Sequence, residues 1–190
     1  MSEKRKPIPA LLAYYDDQWG KPIHDDQKLF ELLSLEIFHA GLNWTVLLEK
    51  EAELTKDFKQ WDIQKVADLT DGELDQILAD PKMIRNNEKV HATRNNAQAI
   101  LNLEQSNGSF SNYLWSFVDN KPIINHYPNR TDVPRQTPLA DRISGDMKQH
   151  GFFFVGDVVV ETFLEDADLI QDDFADPSQD SDQDDNTNNK

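Results

Sequence analysis

The 190-residue chain contains no cysteine, which removes disulfides, thiolate zinc sites, cysteine nucleophiles and Cys-ligated iron–sulfur clusters from consideration. No apolar run comes near the roughly 20 residues that a membrane helix needs, so no membrane association is expected. The opening Met1-Ser2-Glu3-Lys4-Arg5-Lys6-Pro7 is basic but has no apolar stretch behind it. A secretory signal is therefore not expected, and the reading is a cytoplasmic protein. Positive charge is scarce: 19 Lys and Arg stand against 35 Asp and Glu, a net of −16. Glu165 to Lys190 carry a local net of −9, which leaves −7 for residues 1–164. Such an acidic body argues against a broad, nonspecific nucleic-acid coat but leaves room for a local basic face. What the chain does have is material for a core, with 10 Phe, 4 Trp and 4 Tyr. One domain with a tail is the expected organisation, and a monomer is the default.

From Gln171 onward the residues are mostly Asp, Asn, Gln, Ser and Pro, with Phe174 the last large apolar side chain. The composition predicts a disordered, solubilising acidic tail over 171–190, after a domain spanning 1–170. Within that domain the periodicity is helical. Leu29, Phe30, Leu32, Leu33, Ile37 and Phe38 make a wide apolar face from Asp26 to Ala40, and Gly41 is a natural residue to close that helix. A second helix is predicted from about Thr45 to Phe58. Asp62 and then Thr70 or Asp71 look like N-caps of two short helices, the second stopped at Asp80-Pro81. A long helix runs from about Asn87 to Leu103, Ser109 can cap the next, and Thr137-Pro138 opens one that ends near Gly151. Phe152 to Phe163 has strand propensity, yet Gly156-Asp157 reads as a helix start and no other strong strand is available to pair. The expected architecture is all-α, six to eight helices around one core.

Glu36 is out of pattern. It follows Leu29, Leu32 and Leu33 by seven, four and three residues, which places a carboxylate on the apolar stripe. A buried carboxylate needs donors or a cation, or its pKa rises. Tyr14, Tyr15 and Trp19 precede it and Trp44 follows. Aromatic faces around a carboxylate suit a flat, cationic, hydrogen-bonding ligand, each ring attracting such a cation by ~0.5–2 kcal/mol.

A second feature is the turn Asp80 to Asn87 between two helical patterns. In a helix–hairpin–helix the backbone N–H groups at such a turn point at a DNA phosphate. Glycine usually supplies the positive φ there; Asn86 and Asn87 are the candidates in this chain. From Lys82 to Arg94, Lys82, Arg85, Lys89 and Arg94 oppose Glu88, a local net of +3 in an acidic protein.

Four stretches together resemble the bacterial DNA-3-methyladenine glycosylase I family: Ala13 to Gly20 (AYYDDQWG), Leu35 to Trp44 (LEIFHAGLNW), Ile84 to Lys89 (IRNNEK), and Leu114 to Val118 (LWSFV) with Gly151 to Gly156 (GFFFVG). Their order follows the family over roughly residues 10–170. The resemblance implies a helix–hairpin–helix glycosylase fold and excision of 3-methyladenine from alkylated double-stranded DNA, with free 3-methyladenine as product. It implies that Glu36 is the catalytic pocket carboxylate on the adenine edge. Tyr14 and Trp44 become the rings on the base, and Trp19 a pocket wall. Gly41-Leu42 matches the loop that enters the duplex, and Ile84, Arg85, Asn86, Asn87 and Lys89 belong to the phosphate-gripping hairpin. No lyase step, no catalytic aspartate and no cofactor are expected.

The chain departs from the family in one respect that bears on metal. The family usually ties its ends together with a zinc ion held by two Cys and two His. Here no Cys exists, Tyr15 stands at one His position, and the other falls near Asp173. His24, His39, His91, His126 and His150 show no spacing that rebuilds a site, so no metal is expected. The segment before Tyr14 also lacks the family's N-terminal Trp, and Leu11 stands where a pocket Tyr is expected. The alternatives are a catalytically weak relative that binds DNA or a nucleobase, and an acidic module that imitates DNA.

Overall fold

The computed structural model describes residues 21–174, apart from the side chains of Trp44 and Arg130. Eight α-helices form among these residues. They are α1 (Asp26–His39), α2 (Trp44–Asp57), α3 (Ile63–Ala67), α4 (Asp71–Ala79), α5 (Asn87–Asn107), α6 (Phe110–Ser116), α7 (Pro138–Gln149) and α8 (Asp157–Asp166). Local chemistry sets most of their starts. The Thr70 hydroxyl accepts from Glu73 N while the Glu73 carboxylate accepts from Thr70 N, a reciprocal box that satisfies two otherwise unpaired donors. Asp62, Asn86, Ser109 and Thr137 each accept from a backbone N–H three residues on. Gly156 opens α8, so the Phe152–Phe163 run resolves into a turn followed by a helix, as its glycine indicates.

Helix α1 is buried almost all round, from Leu29 through Phe38 with only Glu31 partly open, as befits a central helix. Around it lie Phe58, Trp61, Phe110, Trp115 and Phe163, each at most 1% exposed. Trp115 meets its polar need by donating Nε1–H to Ile23 O at 2.8 Å. Asp26 at the start of α1 accepts from Phe110 N and Ser111 N, so one carboxylate also caps α6. Helices α4 and α5, joined by residues 80–86, form the hairpin. Arg94 of α5 reaches back to Leu69 O and to Asp71 at 2.7 Å.

The helical class is as expected, and three details of the reading need correction. A small parallel sheet pairs β1 (Ile123–Tyr127) with β2 (Ile170–Phe174), in register from Ile123 opposite Ile170 to Tyr127 opposite Phe174. The fold is thus mostly, not wholly, helical. The expected tail boundary at Gln171 falls inside β2, because Gln171 to Phe174 lie opposite Ile124 to Tyr127 in that pair. Residues 175–190, the rest of the expected tail, lie outside the described residues. Third, neither hairpin asparagine adopts positive φ: Asn86 is an extended N-cap at φ −114°, and Asn87 is the first residue of α5.

Candidate active site

The site is built on the last turn of α1. Glu36 is 4% exposed, as its place on the apolar stripe requires, and its Oε2 lies 3.7 Å from His39 Nδ1. The helix then ends at Ala40, whose N–H bonds Glu36 O, and Gly41 follows at φ +78°. Open space surrounds the position a Gly41 Cβ would take. Glycine is therefore demanded by the backbone conformation, not by crowding. Leu42, Asn43 and Gly41 stand exposed in the loop, and Asn43 caps α2 by accepting from Thr45 N. One short stretch thus joins a buried carboxylate to an exposed apolar tip.

More carboxyls stand near it. Helix α8 packs on α1 and presents Glu161 and Glu165, while β2 contributes Asp172. Glu161 is also 4% exposed, and its Oε2 accepts from Thr137 N and Oγ1, both at 2.7 Å. Burial pushes the Glu165 carboxyl up to about 7, and the negative charges of Asp172, Glu161 and Glu36 add to the effect. Such a group of carboxyls favours a cationic guest over a neutral one. The sequence reading missed Glu161, Glu165 and Asp172. For Glu161 the same signal was present as for Glu36, a glutamate inside an apolar run.

At the hairpin, Lys82 and Arg85 are exposed, Ile84 and Asn86 half-buried, and Asn87 exposed at the start of α5. Lys89 does not face solvent. It is 6% exposed and donates Nζ–H to Phe38 O at 3.2 Å and Ala40 O at 2.5 Å. Burial holds its pKa below the ordinary lysine value. Arg94 is engaged by Asp71, so two of the four cations counted in the sequence remain on the outer face. Seven residues along α5 from Lys89, on the same face, Asn96 uses both amide atoms to hold the Phe153 backbone, at 3.1 and 2.8 Å. Phe153 and Phe154 are exposed on that turn. Tyr14 and Trp19 lie outside the described residues, and so does the Trp44 side chain; its backbone is the first residue of α2.

The residues present do not fit the Cys/His zinc site of the resembling family. There is no thiolate, and Asp173 Oδ2 instead meets His126 Nδ1 at 3.1 Å across the β1–β2 pair, beside Asn125 Nδ2 on Asp172 Oδ1 at 3.0 Å. Elsewhere among the described residues, oxygens of Glu53, Asp57 and Asp80 gather within 4.8 Å, but the Lys56 ammonium pairs with the first two.

A helix–hairpin–helix beside a buried glutamate and a glycine-hinged loop defines a class, and comparison with known proteins defines the family. The family described as methyladenine glycosylase matches residues 4–179. The DNA-3-methyladenine glycosylase of Haemophilus influenzae is 37% identical over 161 residues, covering 85% of this chain and 87% of its own. DNA-3-methyladenine glycosylase 1 of Escherichia coli is 34% identical over 164 residues, covering 86% and 88%. The crystal structure of a Tyr-to-Phe variant of a 3-methyladenine DNA glycosylase I, in complex with 3-methyladenine, superposes with a TM-score of 0.82 at 38% identity, covering 92% of this chain and 94% of the other. The chain belongs to the methyladenine glycosylase family.

Proposed function

We propose that the protein is a monofunctional DNA-3-methyladenine glycosylase that acts as a cytoplasmic monomer on alkylated double-stranded DNA. The observation that carries the reading is Glu36: a carboxylate sealed into the last turn of α1, five residues before the backbone hinge at Gly41 and six before the exposed Leu42. N3-methylation puts a positive charge on adenine and weakens its glycosidic bond before any protein group acts. Water adds through oxygen to C1′ and releases a proton to solvent, the N9–C1′ bond breaks with its electrons moving to the base, and the base leaves neutral. Little acid catalysis is needed, so the protein's work is extrusion, orientation and discrimination.

In this reading Leu42, carried on Gly41, fills the stack the nucleotide leaves and offsets a few kcal/mol of unstacking. Glu36 accepts from the exocyclic amine edge and attracts the ring's charge. Tyr14 and Trp44 stack on the base and Trp19 walls the pocket, roles assigned by motif position. Ile84 to Asn87 present the N-terminus of α5 to a phosphate, with Lys82 and Arg85 beside it. Neutral adenine gains less from Glu36, which supplies the selectivity.

The test is base release from methylated duplex DNA. The protein should free 3-methyladenine and leave 7-methylguanine in place. Release of neither base by the intact protein would overturn the assignment and leave a binding relative.

A further inference from the structure

We propose that Lys89 is a positioning residue, a buried cation that locks the hairpin to the end of α1 and so sets where Leu42 stands above Glu36. This rests on the glycosylase reading and gives Lys89 a different task from the phosphate contact its sequence position implies.

Lysine is almost never fully buried unless paired. Among the described residues the Lys89 ammonium has no carboxylate partner; it is held by main-chain carbonyls. Those carbonyls, of Phe38 and Ala40, lie in the stretch where α1 runs out of intrahelical donors. A cation there also meets the negative end of the α1 dipole. The two ends of the side chain are fixed by different parts of the molecule. Its backbone N–H is held by the Asn86 cap in the first turn of α5, and its C=O accepts from Thr93 Oγ1. Its Nζ grips a segment 49 to 51 residues earlier in the chain. Gly41 begins immediately beyond that grip, and Leu42 N returns to His39 O at 2.8 Å. With α1 clamped at Phe38 and Ala40, the flexible hinge starts at a defined point. Phosphate grip and wedge are thereby joined through one side chain.

Lys89→Met keeps an unbranched side chain one atom shorter and removes charge and donors. Three readouts separate positioning from phosphate contact: base release under single-turnover conditions, binding of free 3-methyladenine, and the salt dependence of duplex binding. Lys89→Met should lose about tenfold or more in release rate, because a misplaced wedge wastes the alignment that positioning supplies. Its affinity for free 3-methyladenine should stay within about threefold of the parent, since Nζ bonds main-chain carbonyls of Phe38 and Ala40 and not the Glu36 carboxylate. The slope of log K against log salt should not change, whereas Arg85→Gln should flatten it by about 0.9, the value of one lost phosphate contact. Flattening of that size in Lys89→Met, unchanged release, or equal loss of free-base binding would each overturn the proposal. Should Lys89→Met fail to fold, Lys89→Gln retains one donor for Ala40 O and must show the same split between release and salt slope. If the intact protein releases no 3-methyladenine, it is the glycosylase reading that fails.

Discussion

Glu36 and Glu161 are the same residue type, 4% exposed, on two helices that pack together, yet their surroundings differ. Glu161 serves structure: its Oε2 takes both the N–H and the hydroxyl of Thr137, and through that cap it steadies the start of α7. Glu36 sits one turn from a helix end, beside His39, where the chain turns out toward Leu42. Equal burial therefore says nothing about role. What distinguishes the two among the described residues is that Thr137 donates to Glu161 at a place that holds elements together, whereas Glu36 has His39 beside it.

Removing each charge should split the pair cleanly. Glu36→Gln, the largest effect, should slow release of 3-methyladenine by about 10- to 150-fold, the range expected for loss of a charge-assisted hydrogen bond worth ~1.5–3 kcal/mol. Its melting temperature should hold or rise, because an amide costs less to bury than a carboxylate. Release at the parental rate from methylated DNA would remove Glu36 from the chemistry. Glu161→Ala should do the reverse. Two donors of Thr137 lose their acceptor, which costs about 2 kcal/mol and lowers the melting temperature by roughly 4–8 °C. Release per folded molecule should remain within about threefold of the parent, since the variant leaves Glu36 and the loop in place. A melting curve that matches the parent's would show that the Thr137 bonds contribute nothing.

The contrast also marks what a sequence can disclose. Helix caps were legible because they are local: Thr70 and Glu73 are three residues apart, and Thr137 stands next to Pro138. Glu36 was legible for a similar reason, since the stripe it interrupts lies on its own helix. Glu161 carried an equal signal, but it lies in a Phe- and Val-rich run whose helical and strand propensities compete, and an off-pattern residue shows only once the pattern is known. The β1–β2 pair was not legible. Its partners are 47 residues apart, and β1 alternates weakly because much of it is exposed. Charge counting misled at the hairpin for a related reason. A sum over Lys82 to Arg94 cannot tell that Arg94 is engaged by Asp71 and Lys89 by Phe38 and Ala40, contacts that exist only once the helices have packed.

The smallest expected effect probes the carboxyl that stands between the compared pair. Glu165 shares α8 with Glu161 and feels the charge of Glu36, and burial raises its pKa from 4.5 to about 7. Glu31, on α1, is raised to about 7 as well, by burial first and then by the charge of Glu51. For both, the folded state binds the proton more tightly than the unfolded chain does. Their stabilisation is therefore complete below the ordinary value of 4.5, fades as pH rises toward about 7, and changes no further above it. The melting temperature should decline by a few degrees from about pH 5 to about pH 7.5. Glu165→Gln, which cannot ionise, should remove a substantial part of that decline and leave the part due to Glu31. Asp71 and Glu73 are shifted the opposite way by Arg94 and by the Thr70 backbone, but they are exposed and lose their contribution only below the ordinary carboxylate range, outside this window. Thermal scans in a buffer series decide the matter: a melting temperature that climbs between pH 5 and 7.5, or a slope indifferent to Glu165→Gln, would mean that Glu165 ionises freely and that the carboxyls of α1 and α8 do not act on one another.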